Sequence, residues 1–168
     1  MNATGGFSLD ESYTHLNFII GANNVGGLIG LAPSTSKEIK IEESFVRFLN
    51  GRAGEDIVTS TTAGGFIGLL SEDVSIRKSF VDYSGVDTPI NFKTFATNGT
   101  AGSISTDETY AVMKPGDSLV GLFDSNITTA NSSSELWNNH LSNEDDWALD
   151  SAGNIRFDWQ VNGFEDHK

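Results

Sequence analysis

The sequence contains no cysteine, only 3 prolines and few basic residues. Without cysteine, disulfide bonds, thiolate metal sites and cysteine nucleophiles are excluded. With so little proline, the turns must depend on the 18 glycines. Ten lysines and arginines against 23 acidic residues give a formal net charge of −13, which disfavours nucleic acids and anionic lipid surfaces as partners.

Long apolar runs are also missing. The first 20 residues lack the basic start of a secretion signal, and Phe18–Ile20 is far too short for the apolar part of a signal or for a membrane span. Glycine interrupts the stretches rich in Val, Ile, Phe and Thr every few residues, which disfavours helix. We therefore expect an all-β chain with little helix and no membrane insertion.

What the sequence does have is an internal repeat of two blocks. In the first block, Gly26-Gly27-Leu28-Ile29-Gly30 recurs as Gly64-Gly65-Phe66-Ile67-Gly68. In the second block, Ile41–Phe48 recurs as Ile76–Tyr83. Both blocks keep their order, so the chain is expected to be built from repeated units.

Two outer copies extend the repeat in both directions. We align Gly5–Ser8 and then Leu9–Thr14 as one copy, and Ala101–Ile104 and then Thr109–Val112 as another. A unit of this size cannot close a core alone, so the units are expected to stack into a short β-solenoid. The intervening loops, such as Ala32–Glu38, vary in length and are expected to project from the stack, as is the loop Asn50–Thr62.

The alternation of apolar and polar residues slips in the middle of the second block. A bulge or corner near Ser44 and Ser79 would reconcile the two copies. In the first block, glycine is expected to allow a positive φ and close packing. We expect one stacked core made of the large apolar residues of both blocks: Leu28, Ile29, Phe45, Phe66, Ile67 and Phe80.

The first block, followed by a Ser-aromatic-Val strand, resembles the GLUG motif, Gly-Leu-any-Gly. This motif is similar to repeats of large bacterial surface and secreted proteins, including filamentous-haemagglutinin-like adhesins and the non-catalytic part of some immunoglobulin A peptidases. The resemblance covers roughly residues 5–113 and implies a right-handed parallel β-helix in an extracellular or cell-surface protein. The second copy departs from the motif, with Phe66 in place of leucine, and the outer copies lack the final glycine.

The pattern changes after about residue 117, so we divide the chain into repeats at 1–117 and a closing segment at 118–168. Leu119–Phe123 is expected to be a last degenerate strand, and the polar tract Asn126–Ser134 a loop. All three tryptophans follow, and a β-hairpin is predicted to turn at Asp150–Gly153. A tryptophan-containing hairpin here would cap the open end of the solenoid and protect its strand edges.

Catalytic patterns are missing from the sequence. His15, His140 and His167 are far apart and share no spacing with acidic residues, so neither a zinc site nor a triad is indicated. Some β-helices cleave polysaccharides with carboxylates on one face, and four acidic residues could serve in that way. These carboxylates are Asp82, Asp107, Glu108 and Asp124.

A cluster of oxygen-bearing side chains lies at Asn143–Asp146 and Asp150. Asp145, Asp146 and Asp150 are the candidate ligands for Ca²⁺, although the bidentate Glu of an EF-hand is absent and a solvated acidic loop is the competing interpretation. We predict no cofactor apart from this candidate.

The structural repeat itself is the main predicted functional feature. Its residues are Gly26, Gly27, Leu28, Gly30, Phe45, Gly64, Gly65, Phe66, Gly68 and Phe80. They favour a non-catalytic structural or adhesive module that presents its loops to a glycan or protein ligand. The alternatives are a subunit of a self-assembling extracellular filament or virion fibre, packed against like subunits, and a carbohydrate-active β-helix enzyme.

Overall fold

A computed structural model describes residues 6–16, 19–21, 23–32, 38–49, 57–59, 62–86, 95–98, 102–116 and 126–163. These residues form mainly β-strands, with two short α-helices and one π-helical turn, and the expectation of an all-β chain with little helix is confirmed. The expected strand at Leu119–Phe123 lies outside the described residues.

Strands occupy both blocks of the repeat. In chain order they are β1 (Ser8–Asp10), β2 (Tyr13–Leu16), β3 (Ile19–Gly21), β4 (Asn24–Gly26), β5 (Ile29–Ala32), β6 (Ile39–Glu42), β7 (Phe45–Phe48), β8 (Ile57–Thr59), β9 (Thr62–Gly64), β10 (Ile67–Leu70), β11 (Val74–Asp82), β12 (Ala96–Asn98), β13 (Ile104–Val112), β14 (Ile127–Ala130), β15 (Trp147–Leu149) and β16 (Ile155–Phe157). The helices are α1 (Ser133–Leu136), a π-helical turn (Trp137–Leu141) and α2 (Asp158–Asn162).

The second blocks form one parallel sheet. In it β1 pairs with β6, and β2 pairs with β7. The strands β6 and β7 both pair with the long strand β11, which pairs with β13, and β13 pairs with β14. The first blocks form a separate parallel sheet with the order β12, β10, β5, and β4 pairs with β9 beside it. We number the repeats by their strands: repeat 1 is β1–β5, repeat 2 is β6–β10, repeat 3 is β11–β12 and repeat 4 is β13.

The strand register agrees with the alignment of the central blocks. Gly26 lies beside Gly64, Ile41 beside Ile76 and Phe45 beside Phe80. Equivalent positions in successive repeats are separated by 32, 35 and 30 residues. Regular stacking therefore survives loops of different length, because each strand is fixed by its neighbours in the sheet.

The alignment of the outer first blocks is wrong. Phe7 accepts a hydrogen bond from the backbone N–H of Lys40, so it leads into a second-block strand. Likewise Ile104 lies beside Val74 of β11, and the strand that pairs with the first block of repeat 2 is β12. Small residues next to an apolar residue occur at many places in the sequence, so this short pattern aligned segments that do not occupy the same position in the repeat.

A left-handed corner divides each second block. Glu11, Glu43, Lys78 and Glu108 have φ values of 44° to 46°, and a hydroxyl residue follows each of them. The Oγ of Ser44 donates to the carbonyl of Glu42 at 2.6 Å and accepts the backbone N–H of Ser12 at 3.1 Å. Ser79 does the same one repeat later, accepting the N–H of Ser44 at 3.0 Å. This hydroxyl ladder satisfies buried backbone groups at the corner, which explains why two of its serines are fully buried.

The prediction of one stacked core is wrong, because the left-handed corner divides its residues between two faces of the sheet. The corner reverses the faces of the residues that follow, so Phe45 and Phe80 do not join the other predicted core residues. The inner cluster contains Ile29, Phe66 and Ile67, with Leu28 partly buried against it. Phe45 and Phe80 belong to a second cluster on the opposite, outer face of the sheet.

The C-terminal segment covers this outer face. β15 and β16 form the predicted antiparallel hairpin, in which the N–H of Gly153 donates to the carbonyl of Asp150. The expected loop at Asn126–Ser134 is wrong, because it contains β14 and the start of α1. The hairpin was expected over the open end of the stack, but its ring contacts are with side chains on the face of the sheet, from Tyr13 in repeat 1 to Phe80 in repeat 3.

Candidate functional site

An aromatic column runs up the outer face immediately after the hydroxyl ladder. Tyr13, Phe45 and Phe80 occupy equivalent positions, with ring centroids 5.4 Å and 5.1 Å apart, and the last two rings are parallel to within 2°. Trp147 and Phe157 of the hairpin pack across this column with ring centroids 5.2 to 6.0 Å from its rings, and the two hairpin rings lie 5.0 Å apart. Rings that alternate between stacked and edge contacts bury a large apolar area and fix the hairpin to the sheet.

A row of ionisable residues follows, two positions further along the same strands. His15, Arg47 and Asp82 lie side by side on β2, β7 and β11. Arg47 and Asp82 are only 4% and 2% exposed, and Nε of Arg47 lies 3.0 Å from Oδ2 of Asp82. Buried ions require such pairing, because each loses its hydration.

Further donors surround the buried Asp82 carboxylate. Oδ1 accepts the backbone N–H and the hydroxyl of Ser84, and Oδ2 accepts the hydroxyl of Ser133 at 3.1 Å. Nη2 of Arg47 donates to the carbonyl of Ile155 at 3.1 Å. The pair therefore connects the sheet to both α1 and the hairpin.

A second arginine connects the hairpin to repeat 1. Nε of Arg156 lies 3.0 Å from Oδ2 of Asp150, and Nη1 lies 2.6 Å from Nε2 of His15. A guanidinium can only donate, so this contact requires a neutral histidine whose Nε2 accepts. Burial, together with Arg156 and Arg47, lowers the pKa of His15 below its usual value.

Asp150 organises the hairpin turn. Its Oδ1 accepts the backbone N–H groups of Ala152 and Asn154, both at 2.9 Å. Burial alone would raise the pKa of Asp150, but the bonds from Asn154, Arg156 and Ala152 outweigh it, and the pKa falls well below its usual value. Asp150 therefore acts as a turn residue, with both carboxylate oxygens engaged.

Lys78 forms another ionic contact between the sheet and the C-terminal segment. From its left-handed corner, Nζ lies 3.6 Å from Glu43, 3.3 Å from Glu144 and 3.6 Å from Asp146. Burial would lower the pKa of Lys78, but these carboxylates raise it. Asp146 thus shares Lys78 with two glutamates, and Asp145 beside it is exposed.

The candidate calcium ligands do not converge. Asp146 pairs with Lys78, whereas Asp150 is bonded within the hairpin turn. Across the part of the chain that the structure describes, no group of three or more His, Asp or Glu side chains could hold a metal ion. Asp145, Asp146 and Asp150 are therefore not brought together as a calcium site.

The candidate catalytic carboxylates that the structure describes lie in different environments. Asp82 is buried in its ion pair, whereas Asp107 is 72% exposed and lies 3.5 Å from Arg77. Glu108 occupies a left-handed corner, and Asp124 lies outside the described residues. His140 contacts the ring of Tyr110, far along the chain from His15, and His167 is also outside the described residues.

The motif glycines occupy sites of close backbone approach. A Cβ on Gly26, Gly64 or Gly68 would collide with backbone atoms, as would one on Gly27 with the carbonyl of Gly65. A Cβ on Gly65 would collide with Oη of Tyr83. The expected positive φ is wrong for these glycines, because the positive-φ glycines of the described residues are Gly116, Gly153 and Gly163. Glycine is required here for space and not for turning.

Gly68→Ala should therefore destabilise the fold by about 1–3 kcal/mol, the usual cost of overpacking. The Cβ would collide with the carbonyl oxygen of Gly30 and the N–H of Val25, neither of which can move without breaking the sheet. Gly30→Ala is the matched control, because its Cβ would lie 3.2 Å from its nearest neighbour, the carbonyl oxygen of Asn24. Equal urea midpoints for the two variants would contradict this explanation of the motif.

Acidification should weaken the fold through His15. Its folded pKa lies below the unfolded value of 6.5, so stability is full above that pH and falls as the pH drops below it. Between about pH 7.5 and pH 5.5 we expect the urea midpoint to fall more for the wild type than for His15→Gln, whose amide oxygen can still accept from Arg156. Both proteins retain Glu43, whose pKa is raised by burial and Asp146, so the difference isolates His15. Parallel pH profiles would contradict it.

An open groove of about 520 Å³ lies beside the hairpin turn. Asp150, Ser151, Arg156, Gln160 and Val161 line it. Its acidic and basic groups are already bonded to each other, which leaves a shallow polar surface. No helix among the described residues is long and apolar enough to cross a bilayer.

Comparison with known proteins found no matching family, no matching curated protein and no matching solved structure.

The ion pair of Arg47 and Asp82 was not predicted, although the sequence contains the signal. Aligning the second blocks places Arg47 and Asp82 at the same position in neighbouring repeats, with opposite charges. Cross-strand pairs of opposite charge stabilise a sheet, so opposite charges at one aligned position indicate such a pair.

Proposed function

We propose that the chain is a non-catalytic structural or adhesive module of an extracellular or cell-surface protein. Its repeats stack as a right-handed parallel β-helix, and the loops between strands present a ligand-binding surface. The resemblance of the first block to the GLUG motif supports both the architecture and the location.

One observation carries the proposal: the outer face is occupied by the chain's own C-terminal segment. A β-helix that cleaves a polymer needs carboxylates along an open groove. Here Trp147 and Phe157 fill the corresponding surface, and the buried carboxylate of Asp82 is held by Arg47 and two serines. Bonding of this kind favours a scaffold, because a catalytic carboxylate must be free to exchange a proton or attack a substrate.

The loops are the remaining places for recognition. Rigid strands with variable connections commonly place binding residues in the loops, where sequence changes do not disturb the core. Residues 50–56 lie between β7 and β8, where repeat 1 has only residues 17–18 between β2 and β3, and residues 33–37 lie between β5 and β6, where residues 71–73 lie between β10 and β11. Residues 33–37 and 50–56 would contact a glycan or protein ligand.

A glycan array and a polysaccharide-degradation assay on the purified chain test the proposal together. We expect binding, where found, to be lost when residues 33–37 or 50–56 are replaced by Gly and Ser at equal length, with an unchanged circular dichroism spectrum. Degradation activity is expected to be absent. Activity that disappears in Asp107→Ala, Glu108→Ala or Asp124→Ala would assign the chain to the enzyme class.

A further inference from the structure

The first and last strands of the large sheet each leave one backbone edge open among the described residues. β2 pairs with β7 alone, and β14 pairs with β13 alone. Unpaired strand edges are ready-made sites for another strand, and proteins usually cover them. The two edges face opposite ways along the stack, so they differ from each other and could be complementary.

The backbone of β2 shows which groups are open. The carbonyls of Ser12 and Leu16 accept the N–H groups of Phe45 and Leu49, at 2.9 Å and 2.7 Å. Because successive residues of a strand direct their backbone groups to opposite sides, Tyr13 and His15 direct theirs away from β7. Both the N–H and the C=O of these two residues therefore face the open side.

The hydroxyl ladder lacks its first rung at the same place. In two successive steps the N–H of one repeat donates to the corner hydroxyl of the next: Ser12 to Ser44, and Ser44 to Ser79. The Oγ of Ser12 donates to the carbonyl of Asp10 in the same way as the other ladder serines. Its acceptor position is left without an N–H donor among the described residues.

β14 presents the matching groups at the other end. The carbonyl of Ala130 accepts the N–H of Met113 at 2.8 Å, so Ala130 and Thr128 face β13. Ile127 and Thr129 direct their N–H and C=O groups to the open side. Ile127 lies beside Thr109 and therefore occupies the ladder position, with its N–H directed to where a further hydroxyl would lie.

Between residues 131 and 163, the segment after β14 leads away from this edge. Ser133 of α1 donates to Asp82 on β11, two strands back, and Leu136 packs in the cluster with Tyr110 and Val112. The segment thus turns over the face of the sheet. The edge strand Ile127–Ala130 carries no charge, so it brings no like charge against the acidic corner of repeat 1.

We propose that β14 of one molecule adds to β2 of a second copy in parallel, head to tail. The register places Ile127 beside Ser12, Thr128 beside Tyr13 and Thr129 beside Thr14, and the N–H of Ile127 donates to Oγ of Ser12. This continues the pairing already present between repeats, with no change of geometry. The contact joins two different surfaces and can propagate into a linear filament. The inference rests on the strand pairing and not on ligand binding by the loops.

Electrostatics predicts when this assembly forms. Each copy carries a formal charge of −13, so copies repel one another at low salt. About 0.5 M NaCl shortens the screening length to a few ångströms and should promote association. Sedimentation velocity on the full chain, over a concentration series at low and high salt, should show larger species that increase with both variables.

Disulfide trapping tests the register, and the absence of native cysteine makes the experiment clean. Tyr13→Cys protein is mixed with Thr128→Cys protein under oxidised glutathione. Neighbouring strands lie about 4.8 Å apart, within the range that a disulfide spans. In the control mixture, Asn138→Cys, an exposed position on the π-helical turn, replaces Thr128→Cys. We expect the Tyr13→Cys and Thr128→Cys dimer to form about tenfold faster than the control dimer, because association raises the local thiol concentration.

Thr129→Pro supplies the independent check, because it removes an N–H that faces only the open side. Its assembly should be lost, whereas Thr129→Ala keeps the N–H and should assemble like the wild type, both with native circular dichroism. A chain that stays monomeric at high salt, or mixed dimers no faster than the control pair, would overturn the proposal. Assembly that persists in Thr129→Pro would overturn it as well, because another surface would then be responsible.

Discussion

Phe80→Ala is expected to lower the free energy of unfolding by about 3–5 kcal/mol, the range for a buried phenylalanine reduced to alanine. Phe80 is fully buried, stacks on Phe45 at 5.1 Å and contacts Trp147 at 5.3 Å. Its loss would leave a cavity between the sheet and the hairpin. The variant should therefore also loosen the C-terminal segment.

Urea denaturation followed by tryptophan fluorescence measures this effect, because all three tryptophans lie in the C-terminal segment and Trp147 contacts Phe80. Leu31→Ala is the control, since Leu31 is 48% exposed and should change stability by less than about 0.5 kcal/mol. If Phe80→Ala proved as mild as Leu31→Ala, Phe80 would not lie between the sheet and the hairpin.

Asp82→Ala is expected to cost about 3–5 kcal/mol, because it leaves the buried Arg47 guanidinium without its counter-ion. Arg47 keeps only the carbonyl of Ile155 as a hydrogen-bond partner at Nη2, and its Nη1 has no acceptor among the described residues. Asp107→Ala is the matched control. Its pair with Arg77 is exposed on both sides and contributes at most about 1 kcal/mol.

The double variant Arg47→Met with Asp82→Leu separates the cost of an orphaned charge from the value of the pair. Replacing both members of a buried ion pair with apolar residues is often neutral or stabilising, so most of the loss should be recovered. Urea midpoints of the two single variants and the double variant provide the measurement. A double variant as unstable as Asp82→Ala would show that the charges themselves hold the segment in place.

The sequence predicted the repeat but not the direction of its side chains. The second-block alignment places Ile41 beside Ile76 and Phe45 beside Phe80, as found in the sheet. Simple alternation cannot show that Glu43 and Lys78 adopt left-handed φ values, which reverse the faces that follow. Neither residue type favours that conformation, and the hydroxyl ladder that stabilises it forms only when the repeats are stacked.

Local sequence patterns could not predict that the C-terminal segment covers the outer face. The hairpin at Asp150–Gly153 is determined by its turn residues, so it was predicted correctly. Its docking site depends on contacts more than 100 residues away, such as Arg47 with the carbonyl of Ile155. A long-range contact of this kind has no signature in periodicity, although the aligned charges of Arg47 and Asp82 indicate that a buried polar site exists.

The most direct test of the central claim, that successive repeats stack in parallel and in register under a C-terminal cover, is an NMR measurement of backbone and ring proton contacts. We predict contacts linking Tyr13 to Phe45, Phe45 to Phe80, and Phe80 to Tyr110, together with ring contacts from Trp147 to Phe80. Contacts typical of antiparallel pairing between these strands, or a Trp147 ring that contacts neither Phe45 nor Phe80, would contradict the account.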